Sequence, residues 1–136
     1  MIDVTIANFD AEVIEASQTT PVLVDFWAPW CGPCKSLGPV LEKVEAAYNG
    51  RFKLVKVNSD DEQELAGAFG IRSIPTCVLM IEGKPVDGFM GALPEGQVKA
   101  FLDKHLPAEE ELQAQAEEEA LAALDDGDVE TALAKL

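Results

Sequence analysis

Apolar residues in the first 106 positions alternate between strand-like and helix-like spacing. The run PVLVDFWA (21–28) is almost continuously apolar, which is typical of a strand buried on both faces of a sheet. FKLVKV (52–57) alternates and predicts a second core strand. TCVLMI and PVDGFM are separated by Glu82-Gly83-Lys84, which favours an antiparallel hairpin.

Helical spacing occupies the intervals between these strands. Asn8 is expected to cap a helix over 9–18. In SDDE (59–62), Ser59 and Glu62 have the spacing of a capping box, with Ser59 as the cap and Glu62 reaching back. That box opens a helix that ends near residue 70.

Two further helices are predicted. The first runs from Pro33 to Tyr48, kinked at Pro39, and turns three apolar residues inward: Leu37, Leu41 and Val44. The last begins at Pro94 and continues through Leu106. With a short opening strand in DVTI (3–6), the order β-α-β-α-β-α-β-β-α predicts an α/β fold, with a mixed central sheet and helices on both faces.

The composition changes at Pro107. Residues 107–136 contain ten acidic side chains and one basic side chain, in a chain whose net charge is -15. EEELQAQAEEEALAAL strongly favours a helix, DDGD interrupts it, and VETALAKL resumes the helical pattern. We therefore predict a domain over 1–106, followed by an acidic helical hairpin over 107–136. The negative charge argues against nucleic acid or a membrane surface as a partner.

The sequence CGPC, at Cys31–Cys34, carries the candidate chemistry. As a structural staple the pair would close a very short loop, which stabilises little. As a metal site it lacks ligands, since Cys77 and His105 are the only other cysteine and histidine. At a helix start, free backbone N–H groups would stabilise a Cys31 thiolate, while Cys34 lies one turn in and is expected to be less exposed. This favours a redox dithiol in which Cys31 attacks the substrate and Cys34 resolves the resulting mixed disulfide. Gly32 would let a partner backbone come close, and Pro33 would stiffen the two-residue bridge.

Asp25 is a charged residue within an otherwise apolar strand. A buried carboxyl has a raised pKa and could take and return the proton of Cys34; a satisfied core carboxylate is the alternative. Lys56 on the neighbouring strand could modulate Asp25, or could be a solvated charge.

The motifs VDFWAPWCGPCK, VKVNSD, FGIRSIPT and GAL, in this order and spacing, identify residues 1–106 as resembling thioredoxin. The resemblance implies the thioredoxin fold, a protein-disulfide reductase, and a redox-active disulfide in place of a cofactor. It also implies catalytic roles for Asp25 and Lys56 and a cis peptide bond at Pro75. Four further contacts with client proteins are implied: Trp27, Trp30, the backbone around Thr76, and Gly91 with Ala92. Core packing is the alternative for either tryptophan.

Two residues depart from the family pattern or fall outside it. Cys77 stands where the family usually has an aliphatic residue, and strand alternation predicts that it is buried; a third redox thiol is the other interpretation. His105 is expected at the surface near the end of the last helix.

The end of the chain is similar to one partial tetratricopeptide repeat, with Leu124, Gly127 and Asp128 at the turn and Ala132-Leu133 in the second helix. A thioredoxin domain followed by such repeats resembles the bacterial co-chaperedoxins, which implies oxidised or unfolding client proteins, thioredoxin reductase as electron donor and the GroEL chaperonin as a possible partner. Because repeats need neighbours, we expect more chain beyond Leu136.

Without a secretory signal, the cytoplasm is expected. A redox-silent holding protein and a plain thioredoxin with an acidic tail are the alternatives.

Overall fold

The computed structural model describes residues 1–106. The chain divides into two compact units, Met1–Ala100 and Phe101–Leu136. The predicted helical hairpin lies outside the described residues, and the predicted domain boundary at 106 stays a prediction. In the part that is described, no helix has the length and apolar character needed to cross a membrane.

Five strands form one mixed sheet in the order β1-β3-β2-β4-β5. Their bounds are Ile2–Asp3 for β1, Val22–Trp27 for β2, Lys53–Asn58 for β3, Thr76–Ile81 for β4 and Lys84–Met90 for β5. β1 and β2 each pair with β3 in parallel, and β4 is antiparallel to β2 and β5. The predicted mixed sheet is confirmed.

The helical segments largely follow the prediction. The first is a π-helical turn over Asp10–Glu15 that continues as a 3-10 turn over Ala16–Gln18; α1 is Gly32–Tyr48, α2 is Gln63–Ala68 and α3 is Glu95–Asp103. The three inward residues predicted for α1 are fully buried. α3 ends three residues before the predicted Leu106.

β2 is the central strand, and its side chains alternate between the two faces of the sheet. Val22, Val24 and Phe26 join the apolar cluster against which Phe9 and Phe69 pack, so the first helical segment and α2 cover that face. Asp25 and Trp27 point to the other face and share a cavity with residues of α1. Five of the six β2 residues are buried, which confirms burial on both faces.

Neither predicted cap forms: Asn8 binds backbone before the first helical segment, and Ser59 does not cap α2. Oδ1 of Asn8 accepts a hydrogen bond from Thr5 N at 2.7 Å, which ends the opening strand earlier than predicted. α2 begins at Gln63 without a side-chain cap. Glu62 instead accepts from Ile6 N at 3.2 Å, and the Ser59 hydroxyl is buried without a hydrogen-bond partner among the described residues.

The β4–β5 hairpin turns on two residues rather than three. Glu82 and Gly83 both have positive φ, 53° and 77°, as a two-residue type I′ loop requires. Lys84 already pairs with Ile81 as the first residue of β5. Beyond the turn, an irregularity between Leu79 and Met80 shifts the pairing by one residue, so that Leu79 lies opposite Asp87 and Thr76 lies opposite Met90.

Candidate active site

Cys31 and Cys34 form a disulfide at the start of α1. Cys31 is the N-cap residue with extended backbone, and its Sγ accepts a hydrogen bond from Cys34 N at 3.2 Å. The Cα atoms are 5.3 Å apart, within the usual range for a disulfide. A backbone donor aimed at Cys31 Sγ, together with the positive end of the helix dipole, favours negative charge on this sulfur once the bond opens.

The exposure of the two sulfur-bearing residues differs from the prediction. Cys31 is 3% exposed and Cys34 is 5% exposed, so Cys34 is not the more deeply buried residue in the oxidised protein. The bonded sulfurs cover each other. Gly32 and Pro33 between them are exposed, and a Cβ at Gly32 would have no atom within 4 Å, which leaves the bridge open to a partner.

A cavity of about 200 Å³ lies beneath the disulfide. Asp25, Trp27, Cys34 and Lys56 all line it. Asp25 is 3% exposed, and burial raises the pKa of its carboxyl from 3.8 to about 6, although a hydrogen bond from Cys77 and the charge of Lys56 pull it down. A carboxyl with this pKa can exchange protons near neutral pH.

Lys56 lies beside Asp25 on the neighbouring strand. The two residues are register partners in the parallel β2–β3 pair, as the sequence predicted. Lys56 Nζ is 3.6 Å from Asp3 Oδ1 and 5.1 Å from the centre of the Trp27 ring. Trp27 therefore lines this cavity, in agreement with the core-packing alternative, and its contact with clients stays a prediction.

Cys77 faces Asp25 from the opposite side, on β4. The two are partners in the antiparallel β2–β4 register, and Cys77 Sγ donates to Asp25 Oδ1 at 3.8 Å. Cys77 is fully buried, as strand alternation predicted. The hydrogen bond was missed, because it depends on the register between two strands 52 positions apart.

The exposed side of the disulfide is formed by three loops. Trp30 is 69% exposed, and its Nε1 donates to Asp60 Oδ2 at 2.9 Å. The Ile74–Pro75 peptide bond is cis, as the resemblance implied. Gly91 N donates to Pro75 O at 2.9 Å, and Gly91 has φ of 89°, a conformation that favours glycine.

Apolar surface continues along this rim. Met90 is 68% exposed, and its Sδ accepts from Ser73 Oγ at 3.5 Å; neither residue was singled out from the sequence. Ala92 is exposed beside them in the chain. A groove of about 580 Å³ begins at Trp30 and is bordered by Ile71, Ser73 and Ile74.

Thr76 is the first residue of β4. It pairs with Phe26 on one side and with Met90 on the other, so both neighbouring positions in the sheet are filled. Ser73 and Ile74 precede the sheet and border the groove. Pairing of an extended client with the backbone around Thr76 stays a prediction.

Within residues 1–106, no group of three or more His, Cys, Asp or Glu side chains is placed to hold a metal ion. His105 follows the end of α3 and is half-buried, with its ring 5.9 Å from that of Phe101. This position, just after the last helix, is where the sequence placed it.

Comparison with known proteins agrees with this geometry. The family model described as Thioredoxin matches residues 1–104. Thioredoxin 1 of Synechococcus elongatus is 48% identical over 103 residues, which are 76% of this chain and 94% of that protein. Thioredoxin 1 of a Nostoc species is 46% identical over the same shares. Thioredoxin of Haemophilus influenzae is 44% identical over 101 residues, 74% of this chain and 94% of that protein.

Proposed function

Since this chain belongs to the thioredoxin family, we propose that Cys31 attacks client disulfides and Cys34 resolves the product. The chain is a thiol-disulfide oxidoreductase with the activity of a protein-disulfide reductase, and its redox group is the Cys31–Cys34 disulfide. The observation that carries the proposal is the position of that pair, at the start of α1 and above the cavity that contains Asp25.

The first step forms a mixed disulfide. In the reduced protein, the Cys31 thiolate attacks one sulfur of a client disulfide, a new S–S bond forms, and the other client sulfur leaves as a thiolate. A client sulfenic acid reacts in the same way: its S–O bond breaks, and the oxygen leaves as hydroxide, which takes up a proton from solvent to become water. The hydrogen bond from Cys34 N to Cys31 Sγ supports Cys31 as the attacking sulfur, because it stabilises the anion.

The second step releases the client. Asp25 takes the proton of the Cys34 thiol, and the resulting thiolate attacks Cys31 Sγ. The mixed disulfide breaks, the Cys31–Cys34 disulfide forms, and the client sulfur leaves as a thiolate, so two electrons pass from the dithiol to the client. The shared cavity of Asp25 and Cys34 supports this role for Asp25, and Lys56 as its register partner modulates it. A flavoenzyme of the thioredoxin reductase type returns the two electrons.

Client binding takes place on the exposed side. An extended client segment crosses Pro75, with Trp30 on one flank and Gly91-Ala92 on the other. The groove beside Trp30 and the exposed indole support this placement. The exposed Gly32-Pro33 bridge gives the client sulfur access to Cys31.

We also propose that this activity is coupled to protection of oxidised or unfolding clients and to their delivery to the GroEL chaperonin. Support comes from the sequence of residues 107–136, which is similar to part of a tetratricopeptide repeat. Suppression of the aggregation of heat-denatured citrate synthase, measured with a Cys31→Ser/Cys34→Ser variant, tests holding apart from redox chemistry. Aggregation unchanged by the double variant would contradict the holding role.

The catalytic proposal is tested by trapping. In Cys34→Ser the second step is blocked, so client proteins should accumulate on Cys31 as adducts that dithiothreitol releases. Cells exposed to an oxidant would be quenched with acid, and adducts separated on non-reducing gels. Cys31→Ser is the matched control and should accumulate far fewer. Equal trapping by the two variants would contradict the assignment of Cys31 as the attacking thiol.

A further inference from the structure

Cys77 is a buried thiol that the proposed reaction does not consume. It lies on β4, directly across the sheet from Asp25, and no solvent reaches its side chain. Its Sγ is 3.8 Å from Asp25 Oδ1. A thiol at this position could be mere packing, but packing alone would not require a polar hydrogen beside the one buried carboxyl among the described residues.

The thiol remains a donor throughout the cycle. Burial, and secondarily the neighbouring Asp25 carboxylate, raise the pKa of Cys77 well above its ordinary value. The sulfur therefore keeps its proton at physiological pH. A thiol is a weak hydrogen-bond donor, but between two buried groups even a weak donor stabilises a carboxylate.

Asp25 lies between two different environments. On one side is the S–H of Cys77; on the other is the cavity that Asp25 shares with Cys34. The other titratable residues at this cavity are Lys35 and Glu42 of α1, Lys56 of β3 and the chain's first residue, Met1. None of these residues belongs to β4; from that strand it is Cys77 that reaches Asp25.

We propose that Cys77 is a positioning residue for proton transfer: its S–H donates to Oδ1 of Asp25 and thereby leaves Oδ2 as the oxygen that exchanges the proton with Cys34. This rests on the proposed role of Asp25. The carboxyl group is held in one orientation because Oδ1 is occupied, and its second oxygen is kept as the basic one. Cys77 itself forms no bond with the client and changes no oxidation state.

The test is a titration of the Asp25 carboxyl in the whole chain. With aspartate labelled at the side-chain carboxyl carbon, its ¹³C resonance is followed by NMR from pH 4 to 9 and assigned with Asp25→Asn. Cys77→Val removes the donor and fills a similar volume, so the midpoint should rise by about half a pH unit or more. Cys77→Ser restores an O–H donor, and its midpoint should fall below that of Cys77→Val and close to the parent.

A structural effect of the substitution is controlled on the same strand. Leu79→Val also changes a fully buried side chain of β4, but its register partner is Leu23. It should lower stability without moving the Asp25 midpoint. If Cys77→Val does not fold, Cys77→Ala removes the same donor and takes its place in the comparison.

A kinetic measurement distinguishes the positioning role of Cys77 from the proton-transfer role of Asp25 on which it rests. The rate at which Cys34 resolves a preformed mixed disulfide is measured by stopped flow across the same pH range, and its profile should shift upward in Cys77→Val by the amount seen in NMR. Resolution by Asp25→Asn as fast as in the parent would overturn the proton role of Asp25. Slow resolution in Asp25→Asn, with an unmoved midpoint in Cys77→Val, would overturn the role of Cys77 alone.

Discussion

The two sides of the Cys31–Cys34 disulfide are built in opposite ways. Beneath it, Asp25 and Cys77 are enclosed in the sheet, each paired in register with a residue of a neighbouring strand. Above it, Trp30 and the Pro75 and Gly91 loops present an open surface that includes an exposed indole. The buried side offers hydrogen bonds and a proton, and the exposed side offers apolar contact area.

The contrast teaches that one dithiol can be tuned by two independent sets of residues. Burial makes ionisation of Asp25 costly and brings its pKa to about 6, so the lower side governs when a proton moves. The upper side is too solvated for such an effect, and it governs which polypeptides come within reach of Cys31. Substitutions on the two sides should therefore change different observables.

The largest effect is expected for the stability of Asp25→Asn. The pKa of the Asp25 carboxyl is 3.8 when unperturbed and about 6 in the fold. Stability from this group is complete below about pH 4 and is lost as pH rises through 6. Asparagine mimics the neutral carboxyl, so Asp25→Asn should stabilise the oxidised protein by about 2–3 kcal/mol at pH 7 and by almost nothing at pH 4.

Urea unfolding of the oxidised protein at both pH values measures this difference. Asp61→Asn, which changes an exposed carboxylate, is the matched control and should alter the free energy of unfolding little at either pH. A stabilisation of Asp25→Asn that is equal at pH 4 and pH 7 would contradict the raised pKa, since it would not come from ionisation.

A smaller effect is expected on the exposed side. Trp30→Ala removes an aromatic contact surface, and such residues dominate binding at protein interfaces. KM for a protein disulfide substrate should rise about tenfold, with kcat within about twofold, because ~1.4 kcal/mol of binding free energy is lost. Initial rates of insulin reduction over a range of substrate concentrations give both constants.

Asp60→Asn sharpens this result. It weakens the acceptor for the Trp30 N–H but keeps the indole, so KM should change by only about two- to threefold. A loss in Asp60→Asn as large as in Trp30→Ala would show that the orientation of the indole matters more than its area. A fall in kcat without a change in KM would break the division between the two sides.

Local patterns predicted the elements of the fold better than their ends. The apolar run of β2 and the periodicity of α1 each reflect burial, and burial determines which positions along the chain are apolar. The predicted cap at Asn8 failed because its side chain binds Thr5 N instead, and the one at Ser59 failed because α2 begins only at Gln63. Glu62 binds Ile6 N, 56 positions away, and spacing along the chain contains no information about such a contact.

Some features of the site could be predicted from local sequence, and others could not. The CGPC pair and Asp25 could be found from the sequence, since a helix start and a charge within an apolar strand are local features. The hydrogen bond between Cys77 and Asp25 and the placement of Trp27 in the cavity wall arise from strand register and packing. The pairing of Thr76 with both Phe26 and Met90 likewise depends on how β4 is aligned with its two neighbours.

The measurement that tests the central claim most directly is the reduction of insulin disulfides by this chain with NADPH and a bacterial thioredoxin reductase. Turnover should be rapid in the parent and absent in Cys31→Ser, with that variant folded and its Cys34 thiol free. Turnover that persists in Cys31→Ser, or none in a folded parent with free thiols, would contradict the account.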